Sequence, residues 1–237
     1  MISMTGVHAG YGGGDVLQGL DLEIDPGAVT CVVGPNGAGK STVLRAISGQ
    51  LAPRLGTIRY GGRDIDGRHP AELIKAGIVQ VPQKHGLFPE MTVAENVLLG
   101  GYLRRRDRAY LQKRLAHLAE RFPIIGERGA EPAGNLSGGQ RRTVEFARAL
   151  MLEPAMVLLD EPSLGLDPRS LGLVEQSVTG MRDSGVTVLI VEQNVRFGLG
   201  IAAHGVVMES GRVLRADAAQ AILDDPEMGA FFLGGAP

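Results

Sequence analysis

The sequence predicts an α/β fold with a mainly parallel sheet and an inserted helical subdomain. Three observations carry that expectation. Apolar, β-rich runs recur along the chain with helix-length segments between them. One of these runs leads directly into a glycine loop and then a stretch of helical spacing, which is half of a βαβ unit. From about residue 89 to 152 the apolar pattern turns helical, and strand-like runs resume afterwards.

Each element follows in order. Leu20, Leu22 and Ile24 alternate with Asp21, Glu23 and Asp25, a half-buried strand ended by Pro26-Gly27. Val29-Thr30-Cys31-Val32-Val33 is apolar throughout and reads as a buried strand. A glycine loop follows, then helical spacing over 41–48. Leu111, Leu115, Leu118 and Phe122 fall at i, i+4, i+7 and i+11, an apolar stripe opposed by Arg and Gln. Met156-Val157-Leu158-Leu159 and Val186-Thr187-Val188-Leu189-Ile190-Val191 are two more buried strands separated by a helix-length segment. Val206 to Glu209 and Arg212 to Leu214 flank Ser210-Gly211 and predict a hairpin. The expected organisation is one domain of 237 residues. Residues 1–88 and 153–237 form its α/β core, and 89–152 the helical subdomain.

Bulk properties narrow the function. Hydrophobic residues make up 44% and charged residues 21%, a globular and not a disordered composition. The formal net charge of −2 gives no basic excess, so no nucleic-acid partner is expected. The single cysteine, Cys31, cannot close an internal disulfide and suits a reducing compartment as a small core residue. No apolar run approaches the roughly 18 to 20 residues of a membrane span, and residues 1–10 lack a signal-peptide pattern. Any membrane role must therefore use another chain. His8, His69, His85, His117 and His204 show no metal-ligand spacing. Arg104, Arg105, Arg106 and Arg108 read as a solvated helix face, with acidic headgroups or a partner as the alternative.

Gly34-Pro35-Asn36-Gly37-Ala38-Gly39-Lys40-Ser41 fits G-x-x-x-x-G-K-[ST], with a buried strand before it and a helix after it. Glycines let successive N–H groups turn inward around phosphate oxygens, and the helix N-terminus favours anions. Lys40 is placed to bridge the β and γ phosphates, and the Ser41 hydroxyl to ligate Mg²⁺. A flexible turn before a helix is the alternative. Met156-Val157-Leu158-Leu159-Asp160-Glu161 is an apolar strand ending in two acids. Beside a phosphate loop, Asp160 suits Mg²⁺ and Glu161 suits a general base for the attacking water. Adjacent strand residues point opposite ways, so the chain must turn at once, and Pro162 is the expected break. Taken alone, the same residues fit an ordinary strand capped by solvated acids.

Leu136-Ser137-Gly138-Gly139-Gln140 matches the signature motif of ABC ATPases, and it lies upstream of the acidic strand as in that family. The resemblance spans essentially the whole chain. It implies an ABC ATPase fold: a P-loop NTPase core with a mainly parallel sheet, an N-terminal antiparallel β segment and the helical subdomain. It also implies ATP and Mg²⁺ as cofactors, with Thr42 completing the phosphate loop. Tyr11 resembles the aromatic that stacks on adenine. Gln83, in Val-Pro-Gln, resembles the Q-loop glutamine that senses Mg²⁺ and meets the membrane subunit. Ser163-Leu164-Gly165-Leu166-Asp167 resembles the D-loop between two ATPase halves. Ser137 and the N–H groups of Gly138 and Gly139 can open a helix and form a second anion cradle. In the family, this cradle meets the γ-phosphate held by the opposing subunit.

Where most ABC ATPases carry a histidine after the Val191-Glu192 strand end, this chain has Gln193. Glutamine donates hydrogen bonds but carries no charge and shuttles no proton. A weakened site in an asymmetric pair and a simple substitute donor both fit. Val-Glu-Gln-Asn and the Phe-Leu-Gly-Gly near the C-terminus resemble one ATPase subunit of branched-chain amino acid importers. Urea and short-amide importers look similar and often carry Val-Pro-Gln. The resemblance implies partners of three kinds: a second ATPase subunit, identical or different, transmembrane permeases, and indirectly an extracytoplasmic binding protein. It implies a cytoplasmic location, peripheral on the inner membrane face. Rival readings are a soluble ABC protein of DNA repair or translation, a P-loop kinase or GTPase, and a regulatory ATP binder without turnover. The first usually needs a long coiled coil or tandem halves, and the second has no use for Leu-Ser-Gly-Gly-Gln.

Overall fold

The computed structural model of the chain describes residues 2–84 and 86–232. His85 and the Leu-Gly-Gly of the C-terminal Phe-Leu-Gly-Gly lie outside the described residues.

Alternating burial builds the first layer. β1 (Ile2–Ala9) and β2 (Leu17–Ile24) pair antiparallel and turn Leu20, Leu22 and Ile24 inward, as the alternation predicts. The chain then enters β3 (Val29–Val33), whose five residues are all buried. It passes through the phosphate loop into α1 (Lys40–Ile47), one residue earlier at each end than the sequence expectation. β4 (Leu55–Tyr60) and the two-residue β5 (Arg63–Asp64) complete a four-stranded sheet in the order β2-β1-β4-β5. α2 (Pro70–Lys75) leads to β6 (Ile78–Val81). Sequence reading assigned nothing to β4, β5, α2 or β6, which are short and lack a sustained period.

After β6 the chain leaves the sheets for α3 (Val93–Leu98), α4 (Arg108–Arg121), α5 (Pro123–Arg128) and α6 (Gly138–Ala149). The predicted stripe lies on α4 and its C-cap. Leu118 and Phe122 are buried, and Leu111 and Leu115 pack against the same core. The sheet resumes with β7 (Met156–Asp160), α7 (Pro168–Asp183), β8 (Thr187–Glu192) and α8 (Val195–Gly200). β9 (His204–Glu209) and β10 (Arg212–Ala218) form the predicted hairpin, with positive φ at Ser210 and Gly211. α9 (Ala219–Leu223) and α10 (Pro226–Phe232) follow.

The second sheet runs β10-β9-β3-β8-β7-β6, parallel throughout except for β10. Its strands read as continuous apolar runs because both faces are covered. Val32, Leu158, Leu189 and Val191 face the antiparallel sheet and α1. Cys31, Val33, Val157, Leu159, Val188 and Ile190 face the opposite core, shared with Val144 and Phe146 of α6 and Val174 and Val178 of α7. The helices after β6 are therefore not a separate globule, since α6 is packed into the same core as the sheet. Among the described residues no helix is long and apolar enough to cross a membrane. The carboxyl ends of β3, β7 and β8 lie side by side, which is where open α/β sheets place their ligands.

Candidate nucleotide site

The phosphate loop leaves β3 and is held open by glycine geometry. Gly34, Gly37 and Gly39 have φ of 156°, 86° and 100°, the left-handed region that L side chains avoid. A Cβ on Gly34 would lie 2.2 Å from the Met208 carbonyl oxygen. The β9–β10 turn supports the loop from behind: the Gly211 N–H donates to the Ala38 carbonyl at 3.0 Å. Pro35, Asn36 and Gly37 are exposed, whereas Gly34, Ala38, Gly39, Lys40 and Thr42 are buried. Gly39 caps α1. The Lys40 ammonium folds over the loop, donating to the Gly34 carbonyl at 2.8 Å and the Pro35 carbonyl at 3.0 Å. Burial lowers its pKa, opposed by the negative charges of Glu161 and Asp160. A charge kept this dry interacts strongly with any phosphate that replaces those carbonyls.

The two acids diverge at the end of β7. The Ser41 hydroxyl donates to Asp160 Oδ1 at 2.9 Å. Burial pushes the Asp160 carboxyl above its ordinary range, with the Ser41 bond acting against it and Glu161 adding repulsion. An oxygen-donor cation would relieve that cost. Ser41, Asp160 and the Gln83 amide oxygen are hard donors of the kind Mg²⁺ takes, so the residues present fit this ion. Among the described residues no group of three or more His, Cys, Asp or Glu could hold a metal unaided. The cation would thus share its shell with nucleotide phosphates and water. Glu161 lies across the turn, and its own φ of 44° makes that turn. The break expected at Pro162 therefore falls one residue earlier, on a strained non-glycine position typical of functional sites. Gln83 Nε2 donates to Glu161 Oε2 at 2.5 Å.

α6 positions the Gln83 loop, which sequence reading missed. Arg142 and Glu145 form an ion pair at 2.9 Å with side chains only 2% and 1% exposed. Arg142 also donates to the Pro82 and Gln83 carbonyls at 3.0 and 2.9 Å. Glu145 accepts from the Gly86 N–H at 2.7 Å, and Arg148 donates to the Gly86 carbonyl at 2.6 Å. The sequence shows only an Arg and a Glu three residues apart, a spacing equally common on a solvated helix face, and nothing of their burial or of the loop they hold.

The remaining site residues split into capping and exposed groups. Ser137 and Gln140 form a capping box at the start of α6, and Gln140 Oε1 also accepts from Arg128 at 3.0 Å. Ser137 and Gly138 are exposed at that helix start, whereas Gly139 is buried against Ser170, which a Cβ would strike at 2.5 Å. Of the predicted second cradle, then, the Ser137 hydroxyl and the Gly138 backbone face outward. Asp167 caps α7, accepting from the Arg169 and Ser170 N–H groups and the Ser170 hydroxyl, which lowers its pKa. Gln193 is exposed beside Glu192. Tyr11 is 48% exposed, and its hydroxyl accepts from Arg45 at 2.7 Å. In the arginine run, Arg104 lies 3.6 Å from the Tyr110 ring centroid and pairs with Asp107. Arg105 lies over Tyr102. Both are therefore partnered within the chain.

A strand–glycine loop–helix with a buried lysine, beside a serine-bound aspartate and a glutamate on the next residue, defines a P-loop nucleotide hydrolase. The family profile described as ABC transporter matches residues 17–164. The high-affinity branched-chain amino acid transport ATP-binding protein BraG of Pseudomonas aeruginosa is 35% identical over 99% of this chain and 100% of its own length. The L-cystine transport system ATP-binding protein TcyN of Escherichia coli is 34% identical over 92% and 90%. An ATP-binding cassette of an ABC transporter, solved in its ADP conformation, superposes with a TM-score of 0.88 at 29% identity, over 99% of this chain and 98% of that one. A dimeric cassette bound to ADP and Pi superposes with a TM-score of 0.80 at 26% identity, over 92% and 99%. The chain belongs to the ABC transporter ATP-binding family and is an ATP-hydrolysing transporter ATPase.

Proposed function

We propose that this chain powers an importer for branched-chain amino acids, as one of two ATPase subunits that close on MgATP. Urea or short amides are the alternative cargo. The similarity to BraG over its full length supports the amino acid reading, and the Val-Pro-Gln at Gln83 keeps the alternative in view. We take the chain as one domain, with 89–152 as the helical subdomain.

The single observation that carries the hydrolytic mechanism is the gathering of buried Lys40, Asp160 and Glu161 with the half-buried Ser41 at the carboxyl ends of β3 and β7, which flank β8. Lys40 exchanges its loop carbonyls for the β and γ phosphates. Gly34 to Thr42 offer backbone N–H groups and the Ser41 hydroxyl, and Tyr11 stacks on adenine. Ser41, Asp160 and, on closure, Gln83 would hold Mg²⁺, which would supply neutralisation of the phosphate charge. Glu161 takes a proton from the attacking water, and the bond from the γ-phosphorus to the bridging oxygen breaks to give ADP and phosphate. Gln193 donates to the γ-phosphate. Ser137, Gly138, Gly139 and Gln140 of the opposing subunit complete the site, with Asp167 fixing the D-loop between the halves. The exposed Ser137 and Gly138 at the start of α6 support this geometry.

A groove of about 350 Å³ between β6 and α6 supports the membrane-side partner. Phe88 and Tyr102, 55% and 61% exposed, rim it, and Val79 and Val81 floor it. Patches of this kind mark protein partners. We assign it to a transmembrane permease subunit, and the same reading puts the chain on the cytoplasmic face with an extracytoplasmic binding protein as an indirect partner. ATPase activity measured with and without the permeases tests the reading. Stimulation on reconstitution supports it, and an ATP-binding chain that never turns over favours the regulatory alternative.

A further inference from the structure

Glu192 is an acid that the mechanism above leaves unused. It ends β8 and pairs in register with Val33, the last strand residue before the phosphate loop. Its side chain is 1% exposed. Its carboxylate accepts from two different loops. The Ser163 N–H and hydroxyl donate at 2.9 and 2.8 Å, and the N–H groups of Gln193 and Asn194 at 3.2 and 3.3 Å. Ser163 is two residues past Glu161 in a tight turn, where the Leu164 N–H returns to the Glu161 carbonyl at 3.2 Å.

Core packing does not explain this group. Among the described residues Glu192 makes no ion pair, and its burial is costly without one. Helix capping does not explain it either, because the Asn194 side chain already accepts from the Phe197 N–H at the start of α8. What the carboxylate does is accept on both oxygens at once. A glutamine of the same shape would present its NH₂ to one of these donors, and an aspartate would be one methylene too short to span the loops.

We propose that Glu192 is a positioning residue for hydrolysis: it fixes the distance between the turn carrying Glu161 and the loop carrying Gln193. The inference rests on the roles given above to those two residues. Burial raises the Glu192 pKa, against which the Ser163 bonds act, and the bonds keep the group useful as an acceptor.

The test uses the full chain with saturating MgATP and compares Glu192→Gln, Ser163→Ala, the double variant and Glu161→Gln. Glu192→Gln is expected to lower kcat about tenfold or more while the ATP Kd stays within about threefold. Ser163→Ala is expected to lose several-fold in kcat. The double variant should be no slower than Glu192→Gln alone, because both break one linkage. A purely structural role would instead reduce the folded fraction and leave kcat per folded chain unchanged, which overturns the proposal. Losses that add independently overturn it as well. If Glu192→Gln does not fold, Ser163→Ala decides alone, and a wild-type kcat there refutes the linkage. Wild-type turnover by Glu161→Gln would instead sink the underlying hydrolytic reading.

Discussion

Gln83 and Glu161 are hydrogen-bonded, Nε2 to Oε2 at 2.5 Å, across a sequence distance of 78 residues. The residue assigned to the metal and the partner interface is therefore in contact with the residue assigned to the water. The bond spends the Gln83 amide donor on Glu161 and leaves its amide oxygen for a cation. It also occupies one oxygen of the base. The Gln83 backbone is tied to α6 through Arg142. A displacement of α6 would thus move Gln83 relative to Glu161.

Replacing Gln83 by Ala removes both of its assigned contacts and leaves the Lys40 loop untouched. Steady-state kcat should fall about 10- to 100-fold, and MgATP affinity by less than about threefold. Equal losses in both would mean that Gln83 acts through ground-state binding.

Lys40→Ala should weaken ATP binding by about 10- to 150-fold, since a charge-assisted contact in a dry site is worth about 1.5–3 kcal/mol. Thermal stability without nucleotide should rise or hold, because a buried ammonium with a lowered pKa is removed. Equilibrium binding of a fluorescent ATP analogue and a melting curve check both halves.

Asp160 carries a pH signature. Its folded pKa is raised above the ordinary 3.8, so the native state holds the proton more tightly than the unfolded chain. The stability it contributes is present below the unfolded value and is lost as pH rises through the folded one. Asp160→Asn does not titrate there and keeps an acceptor for Ser41. Its melting midpoint without nucleotide should gain on the wild type as pH rises from about 4 to about 8. MgATP should reverse the order, stabilising the wild type more than the variant.

Arg142→Ala would remove the guanidinium from the buried Glu145, which keeps its bond from the Gly86 N–H, at a cost of about 3–5 kcal/mol. Replacing the pair together, Arg142→Met with Glu145→Leu, should recover most of that stability. It should not recover kcat, because the Pro82 and Gln83 carbonyls lose their guanidinium. Urea melts and turnover measured on the same samples separate the two effects.

The sequence made β3, β7 and β8 legible because both-face burial leaves continuous apolar runs, as in Val29–Val33 and Met156–Asp160. The phosphate loop was legible because glycine and lysine must recur at fixed offsets there. Gln140 and Asp167 were read only through the family resemblance, although each carries a local capping signal: Ser-x-x-Gln before α6, and Asp-Pro before α7. Other features had no local trace. The Glu161 turn depends on a positive φ that no neighbouring glycine announces. The Glu192 linkage and the Arg142 grip on residues 82 and 83 join positions 29 to 60 residues apart, and such contacts follow only from the sheet order β3-β8-β7-β6. The support of the phosphate loop by Gly211 is likewise a tertiary contact.

In the proposed mechanism one nucleotide is gripped from two chains, by Lys40 here and by an exposed Ser137 there. Analytical ultracentrifugation of Glu161→Gln with MgATP tests it most directly. A dimer is expected with ATP, reverting to monomer without nucleotide, and a monomer at all nucleotide concentrations when Ser137→Arg is added. Stoichiometric ATP binding by a chain that stays monomeric, or a dimer indifferent to Ser137→Arg, would contradict it.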